Sequence, residues 1–440
     1  MPENVPLDVQ QIVDAQPFGP AHLRIILLCG ISVFMDGFDA QATGFVAPAL
    51  AQQWGIARGA LGPILTAGLA GMLMGALVFG PLADRFGRKR ILILCTLWFG
   101  VFSLLTAAAD SMTSMVVLRL LTGIGLGGTL PNAIALTAEY MPRTMRSTGV
   151  TLMFTGFSLG AAAGGFAAAG LIGRFGWPGV FVVGGAAPCV VALFLLGLPE
   201  SIRYLVLQGG RDSQIAQHLR RLAPRLRLAG DARFTATEPA EAGFPVARLF
   251  TNGRAAMTVL LWVIFFMSLL DLYFLNSWLP TVLHDSGLQL ETAIRVTAMF
   301  QVGGAAGAFV LGRLLDRRKS FIALAIAYSG AAISVFFIGT AGSSPAVQIL
   351  LVFAAGMCVI GGQTGANALA AESYPTAIRA TGVGWALGIG RIGSIAGPLL
   401  GAVLLSSQLE MKSVFQAAAA PPVIAVLAAL LASRVSAQRP

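Results

Sequence analysis

Apolar runs of about 20 residues recur from one end of this chain to the other, each long enough to cross about 30 Å of hydrocarbon as a helix. Strands of a membrane barrel would alternate apolar and polar residues, and these runs do not. With 56% hydrophobic and only 11% charged residues over 440 positions, too little polar surface is left for a soluble globule. The chain reads as an all-α membrane protein with twelve transmembrane helices. The spans are expected at 24–48, 61–83, 91–110, 113–138, 147–172 and 178–198, then at 256–282, 290–314, 320–341, 346–371, 380–407 and 413–433.

Sorting the basic residues by alternate loops orients these spans. One side collects Arg24, Arg85, Arg88, Lys89, Arg90, Arg143, Arg146, the arginines between Arg203 and Arg254, Arg313, Arg317, Arg318, Lys319, Arg379, Arg434 and Arg439; the other holds Arg58, Arg174, Arg295 and Lys412. The basic side is the cytoplasmic one, so both termini and the long middle loop belong in the cytoplasm. The net charge of +10 then faces anionic lipid, and no nucleic-acid partner is needed to explain it. The first twenty residues carry Glu3, Asp8 and Asp14 without Lys or Arg, the wrong flank for a secretory signal, so the N-terminus should be retained. Cys29, Cys95, Cys189 and Cys358 fall inside spans, and His22, His218 and His284 have no ligand spacing; no disulfide, metal or cofactor is expected. The polar stretch from Pro199 to Arg254 divides six spans from six, giving residues 1–198, a connecting loop at 199–254, and 255–440. Within the loop, Ser213 to Leu228 suits either a basic amphipathic helix on the membrane surface or a solvated connector.

The halves repeat each other. Glu139-Tyr-Met-Pro142-Arg-Thr-Met-Arg146-Ser-Thr148-Gly149-Val150 aligns with Glu372-Ser-Tyr-Pro375-Thr-Ala-Ile-Arg379-Ala-Thr381-Gly382-Val383 at a shift of 233 positions, and Gly80, Asp84 and Arg85 are echoed by Gly312, Asp316 and Arg317. A duplicated six-helix unit follows, the arrangement that rocks about a site at the membrane midplane.

Gly80-Pro-Leu-Ala-Asp84-Arg85-Phe-Gly87-Arg88-Lys89-Arg90 joins the second and third spans. Gly80 would permit close helix approach, Gly87 a tight turn, and Asp84 charge-assisted hydrogen bonds. The segment resembles the signature loop of the major facilitator superfamily, with a fainter copy from Gly312 to Lys319. The resemblance implies two pseudo-symmetric six-helix bundles and a cytoplasmic latch around Gly80, Asp84, Arg85, Gly87, Arg88 and Asp316. Glu139, Arg146, Glu372 and Arg379, at cytoplasmic span ends, suit paired gate salt bridges.

Charges inside the spans mark the candidate site, because each costs on the order of 2.5–3.5 kcal/mol or more at the bilayer centre. Asp36 and Asp39, three apart, share a helix face in the first span and suit a proton relay. Arg119 in the fourth span suits either a counter-ion to these acids or a two-hydrogen-bond clamp for a substrate carboxylate, and the two roles are compatible. Arg391 in the eleventh span lies about a dozen residues from either end. It matches Ser158 in the repeat and so breaks the symmetry, where recognition of substrate is expected. Asp271, in the seventh span near the position mirroring the first, is a further intramembrane acid. Tyr273, Asn276, Trp278 and Trp385 offer hydrogen bonds and rings to a flat ligand, and Asp271 counts with Arg119, Arg391, Asn276, Trp278 and Trp385 as a substrate-binding candidate.

Asp36-Gly-Phe-Asp39, the signature loop, Arg119, Glu139, Arg379 and Arg391 together resemble the aromatic acid/proton symporters of that superfamily over nearly the whole chain. This implies import of a hydroxybenzoate-like carboxylate with protons, by a monomer. Protons would then be carried at Asp36 and Asp39, and the anion held by Arg119 and Arg391. Asp271 departs from the pattern, since an ionised acid near the site would repel a carboxylate. An exporter would share fold and loop, and Gly156-Phe-Ser-Leu-Gly160-Ala-Ala-Ala-Gly164 partly resembles an antiporter motif. Its central proline is Ala161 here, however, and Pro199-Glu200-Ser201-Ile-Arg203 resembles the stretch ending the first half of sugar and organic-acid porters. A receptor would not need buried acid and base together, and no nucleophile or metal constellation suggests an enzyme.

Overall fold

The computed structural model of the protein describes residues 7–222, 233–235, 246, 249–251, 253–317, 321–342, 344–374, 376–407, 409 and 411–437. A short strand β1 (Leu7–Asp8) and helix α1 (Val9–Asp14) precede six long helices: α2 (Pro20–Trp54), α3 (Gly62–Phe86), α4 (Arg88–Thr106), α5 (Met112–Tyr140), α6 (Arg146–Phe175) and α7 (Pro178–Leu195). The middle segment contributes α8 (Ile202–Gln208), α9 (Asp212–Leu222) and β2 (Phe234–Thr235). The second set is α10 (Ala255–Asp285), α11 (Leu290–Arg317), α12 (Phe321–Ile338), α13 (Pro345–Ser373), α14 (Thr376–Ser406), α15 (Met411–Ala418) and α16 (Ala420–Ala437). Twelve spans are long and apolar enough to cross a bilayer, as the apolar runs require. The twelfth is broken between α15 and α16, because Pro421 and Pro422 have no N–H to continue the ladder.

Missing Cβ atoms set the packing. In one compact unit (Met1–Ala40, Ala70–Gly160 and Phe181–Glu241) Gly37 of α2 rests on the carbonyl of Phe157 in α6, and Gly160 of α6 rests on that of Phe34. In the same unit Gly71 and Gly75 of α3 meet the carbonyls of Leu120 and Ile124 in α5. The other unit (Gln41–Leu69, Ala161–Val180 and Ala242–Pro440) repeats these contacts: Gly393 of α14 on Phe266, and Gly303 and Gly307 of α11 on Phe353 and Met357 of α13. Any side chain at these glycines would push into backbone, so the duplicated sequence is a duplicated packing scheme. Its register is 232 positions from α2 to α10 and from α3 to α11 (34 to 266, 71 to 303), and 233 from α5 to α13 (120 to 353).

The apolar face of α9 is covered by protein. Ile215 and Leu219 are buried in a cluster with Val9, Val13, Leu136, Tyr140 and Leu205. β1 pairs in parallel with β2, and Phe234 N–H donates to Asp212 at 3.3 Å. Neither a surface-lying helix nor a solvated connector describes residues 212–222: the segment docks on the first unit, where its two buried side chains find a better apolar partner than water. Residues 223–228 lie outside the described residues.

Candidate functional site

The chain presents two buried polar centres, one in each unit. In the first, α2 carries Asp36 and Asp39 and α5 carries Arg119, all essentially without solvent exposure. Arg119 donates through Nη2 to Asp39 Oδ2 and through Nη1 to Oδ1 at 3.4 Å, and Ser103 of α4 donates to Oδ1 at 2.5 Å. The ring of Phe181 in α7 lies under the guanidinium, 5.1 Å from its carbon, adding a cation–π contact. Gly184, one turn further along α7, leaves room for Phe38 and Asp39. Asp36, one turn earlier on α2, lies within electrostatic reach of the Cys95 thiol of α4. The fork of Arg119 donates to Asp39. Gly37 between them serves the approach of α6. Ser103 and Phe181 were not singled out from sequence. The serine's only local signal is a hydroxyl in an apolar run.

In the second unit Arg391 of α14 is half-buried and donates to the Tyr273 hydroxyl of α10 at 3.4 Å. One turn along α10, Asn276 accepts from Gln301 of α11 at 2.9 Å, which leaves its own amide N–H groups buried without a partner among the described residues. Trp278 is fully buried; its indole N–H donates to Pro398 O at 2.9 Å and its ring fills the space beside Gly401. Trp385 is 43% exposed and stacks on Trp262 at 5.9 Å. Asp271 is buried on another face of α10, near Ser268 and Tyr328. Arg391, Tyr273, Asn276 and Gln301 therefore belong together by their elements, whereas Trp278, Trp385 and Asp271 point elsewhere.

The loop between α3 and α4 forms a tight polar knot in the first unit. Gly87 turns at φ +102, a conformation glycine adopts without strain, while Gly80 has open space around it and makes no close approach. Arg88 pairs with Glu139 of α5, and with Asp84 at 3.5 Å. Arg85 lies over the ring of Phe86. The carboxylate of Glu200 accepts from the backbone N–H of Lys89 and of Ser201, each at 2.9 Å, and Tyr140 donates to the Glu200 carbonyl at 2.5 Å. Glu139 thus meets Arg88, not Arg146, and Glu200 is the hub that sequence reasoning placed only in a resemblance. In the second unit Glu372 ends α13; the side chains of Asp316 and Arg379, and residues Arg318 and Lys319, lie outside the described residues.

At the far end of α2 the second unit holds a further ion pair. Arg58, in the 3-10 turn Arg58–Leu61, meets Asp285 at the end of α10 at 2.5 Å. Gly44 packs on the Asn276 carbonyl, and Gly59 and Gly62 on Ser406 and Ala402 of α14. A cavity of about 450 Å³ opens nearby between the ends of α2 and α6 and the start of α11, lined by Gln52, Gln53, Trp177 and Glu291. None of the candidate residues lines it.

A family model described as Major Facilitator Superfamily matches residues 29–390 and 261–440. The chain is 44% identical over 432 residues to the 4-hydroxybenzoate transporter PcaK of Pseudomonas aeruginosa, covering 98% of this chain and 96% of that protein. It is 42% identical to the gallate transporter of Pseudomonas putida, with the same coverage, and 40% identical to the 3-(3-hydroxy-phenyl)propionate transporter of Escherichia coli K12, over 94% of each chain. Among solved structures, the xylose transporter XylE of E. coli in a partially occluded inward open conformation superposes with a TM-score of 0.72 at 16% identity, covering 93% of this chain and 97% of that one.

Proposed function

The chain belongs to the major facilitator superfamily, among its aromatic acid transporters, and from this we propose that it imports a hydroxybenzoate-like carboxylate together with protons. The observation that carries the coupling is the buried Asp39–Arg119 pair. An acid this far from water can be neutral only by taking a proton, and when it does so the guanidinium loses its counter-charge. A substrate carboxylate, planar and able to accept two hydrogen bonds, is the replacement that such a fork prefers. Proton uptake and anion uptake are then linked by electroneutrality in a low-dielectric interior.

In the second unit Arg391, with Tyr273, Asn276 and Gln301, supplies a cation, a phenol and amides for a ring carrying a carboxylate and a hydroxyl group. Asp36, one turn before Asp39 on α2, is the entry point for the proton. The knot of Arg88, Glu139 and Glu200 and the pair Arg58–Asp285 act as latches at the two ends of the transport path, in a monomer of halves 1–198 and 255–440 joined by 199–254. Both termini lie in the cytoplasm of a bacterial inner membrane, the side that the Lys and Arg bias selects.

Uptake of labelled 4-hydroxybenzoate into proteoliposomes tests this reading. Accumulation should require an alkaline interior and collapse with a protonophore. Accumulation driven by the opposite gradient would make the protein an exporter.

A further inference from the structure

The packing register assigns a mirror to the coupling acid. Between α2 and α10 it is 232 positions, so Asp39 corresponds to Asp271 and Asp36 to Ser268. Between α5 and α13 it is 233, so the place of Arg119 is taken by Val352, which is fully buried. The second half therefore keeps the acid and omits the cation. Asp271 is 2% exposed, and neither carboxyl oxygen has a hydrogen-bond partner among the described residues. The Ser268 hydroxyl, one turn earlier on α10, and the Tyr328 hydroxyl of α12 lie close to each other and within electrostatic reach of the acid.

Arg391 of α14 donates to Tyr273, and Cys358 of α13 packs beside Gly330 of α12. Among the described side chains, the remaining charges of α11, α13, α15 and α16 (Glu291, Arg295, Arg313, Glu372, Lys412 and Arg434) lie near helix ends. An ionised carboxylate in that setting would be an uncompensated charge in the bilayer core.

We propose that Asp271, with Ser268 and Tyr328, is a second proton-binding site, loaded in the conformation described here, and that its proton travels with the substrate. A neutral acid removes the uncompensated charge, and the two hydroxyls keep its surroundings polar. Ionised, it would place a negative charge on the stretch of α10 that carries Tyr273, the partner of Arg391, and so weaken that cation's hold on an anion. Loading must therefore precede anion binding. The second step rests on the proton-coupled import proposed above; the first does not.

Infrared spectroscopy of the purified full chain separates the two. At neutral pH it should show a carbonyl band of a protonated carboxylic acid that Asp271→Asn removes. Asp271→Glu, which keeps a carboxyl group at the site, should shift that band instead of removing it, and this comparison stands even where Asp271→Asn does not fold. A spectrum unchanged by both substitutions would mean an ionised Asp271 and would overturn the site. A sodium-dependent rise in melting temperature that Asp271→Asn abolishes would also overturn it, in favour of a cation site. Reversal-potential measurements in proteoliposomes should give one proton fewer per 4-hydroxybenzoate for Asp271→Asn than for the unsubstituted protein. An equal count would overturn the moving proton while leaving the infrared assignment intact.

Discussion

Arg119 illustrates how much one buried charge depends on its partner. Held by Asp39 and by the face of Phe181, it is compensated; alone, it would be a bare cation in hydrocarbon. Arg119→Met should therefore lower stability by about 3–5 kcal/mol, the usual cost of stranding one member of a buried pair. The double variant Asp39→Asn/Arg119→Met, which strands nothing, should melt above Arg119→Met alone, as followed by thermal unfolding in detergent. Equal melting would show that the two side chains do not depend on each other. That these charges lie inside the spans was legible in the sequence, because charges inside apolar runs are conspicuous. Which acid the arginine takes was not, since Asp36 and Asp39 are both on the right face and the choice is made by Ser103 and Phe181, contributed by α4 and α7.

Among the elements, the helices were the legible part, since length and apolarity fix a span almost alone. The glycines that press on Phe157, Leu120, Phe266 and Phe353 were visible as composition, but which carbonyl each one meets is a property of helix crossing and not of local pattern. α9 shows the same limit: its amphipathic face was readable, its partner was not. Docking of α9 buries His218 beside Lys89 and Arg221, and burial first, then those charges, hold its pKa below the ordinary value of 6.5. The unfolded segment takes up a proton near pH 6.5 while the docked one resists it, so docking is strongest above that value and weakens as pH falls through it. Hydrogen exchange of residues 212–222 should accelerate on acidification to about pH 5.5, and His218→Gln should flatten the dependence. Acceleration that persists in His218→Gln would place the pH sensitivity elsewhere.

For the whole molecule the account is one of two halves built on one packing scheme but different charge plans. One half has a compensated acid, and the other has an acid without a cation and a half-buried arginine on a phenol. The repeat in the sequence announced the scheme; the difference in charge plan needed the register that the glycine contacts supply. If Arg58–Asp285 is the latch proposed above, the pair and the packing around Gly44 and Gly59 break once per transport cycle. Joining Arg58→Cys to Asp285→Cys with a short cysteine-directed cross-linker, in a background free of the four native cysteines, should stop uptake, and each single variant should continue. Undiminished uptake in the cross-linked protein would remove this pair from the gate. The central claim is that the proton and the aromatic anion are exchanged at Asp39–Arg119. It is tested most directly by measuring both gradient-driven accumulation and substrate counterflow of 4-hydroxybenzoate in Asp39→Asn proteoliposomes. The account predicts that accumulation disappears while counterflow continues; accumulation equal to that of the unsubstituted protein would contradict it.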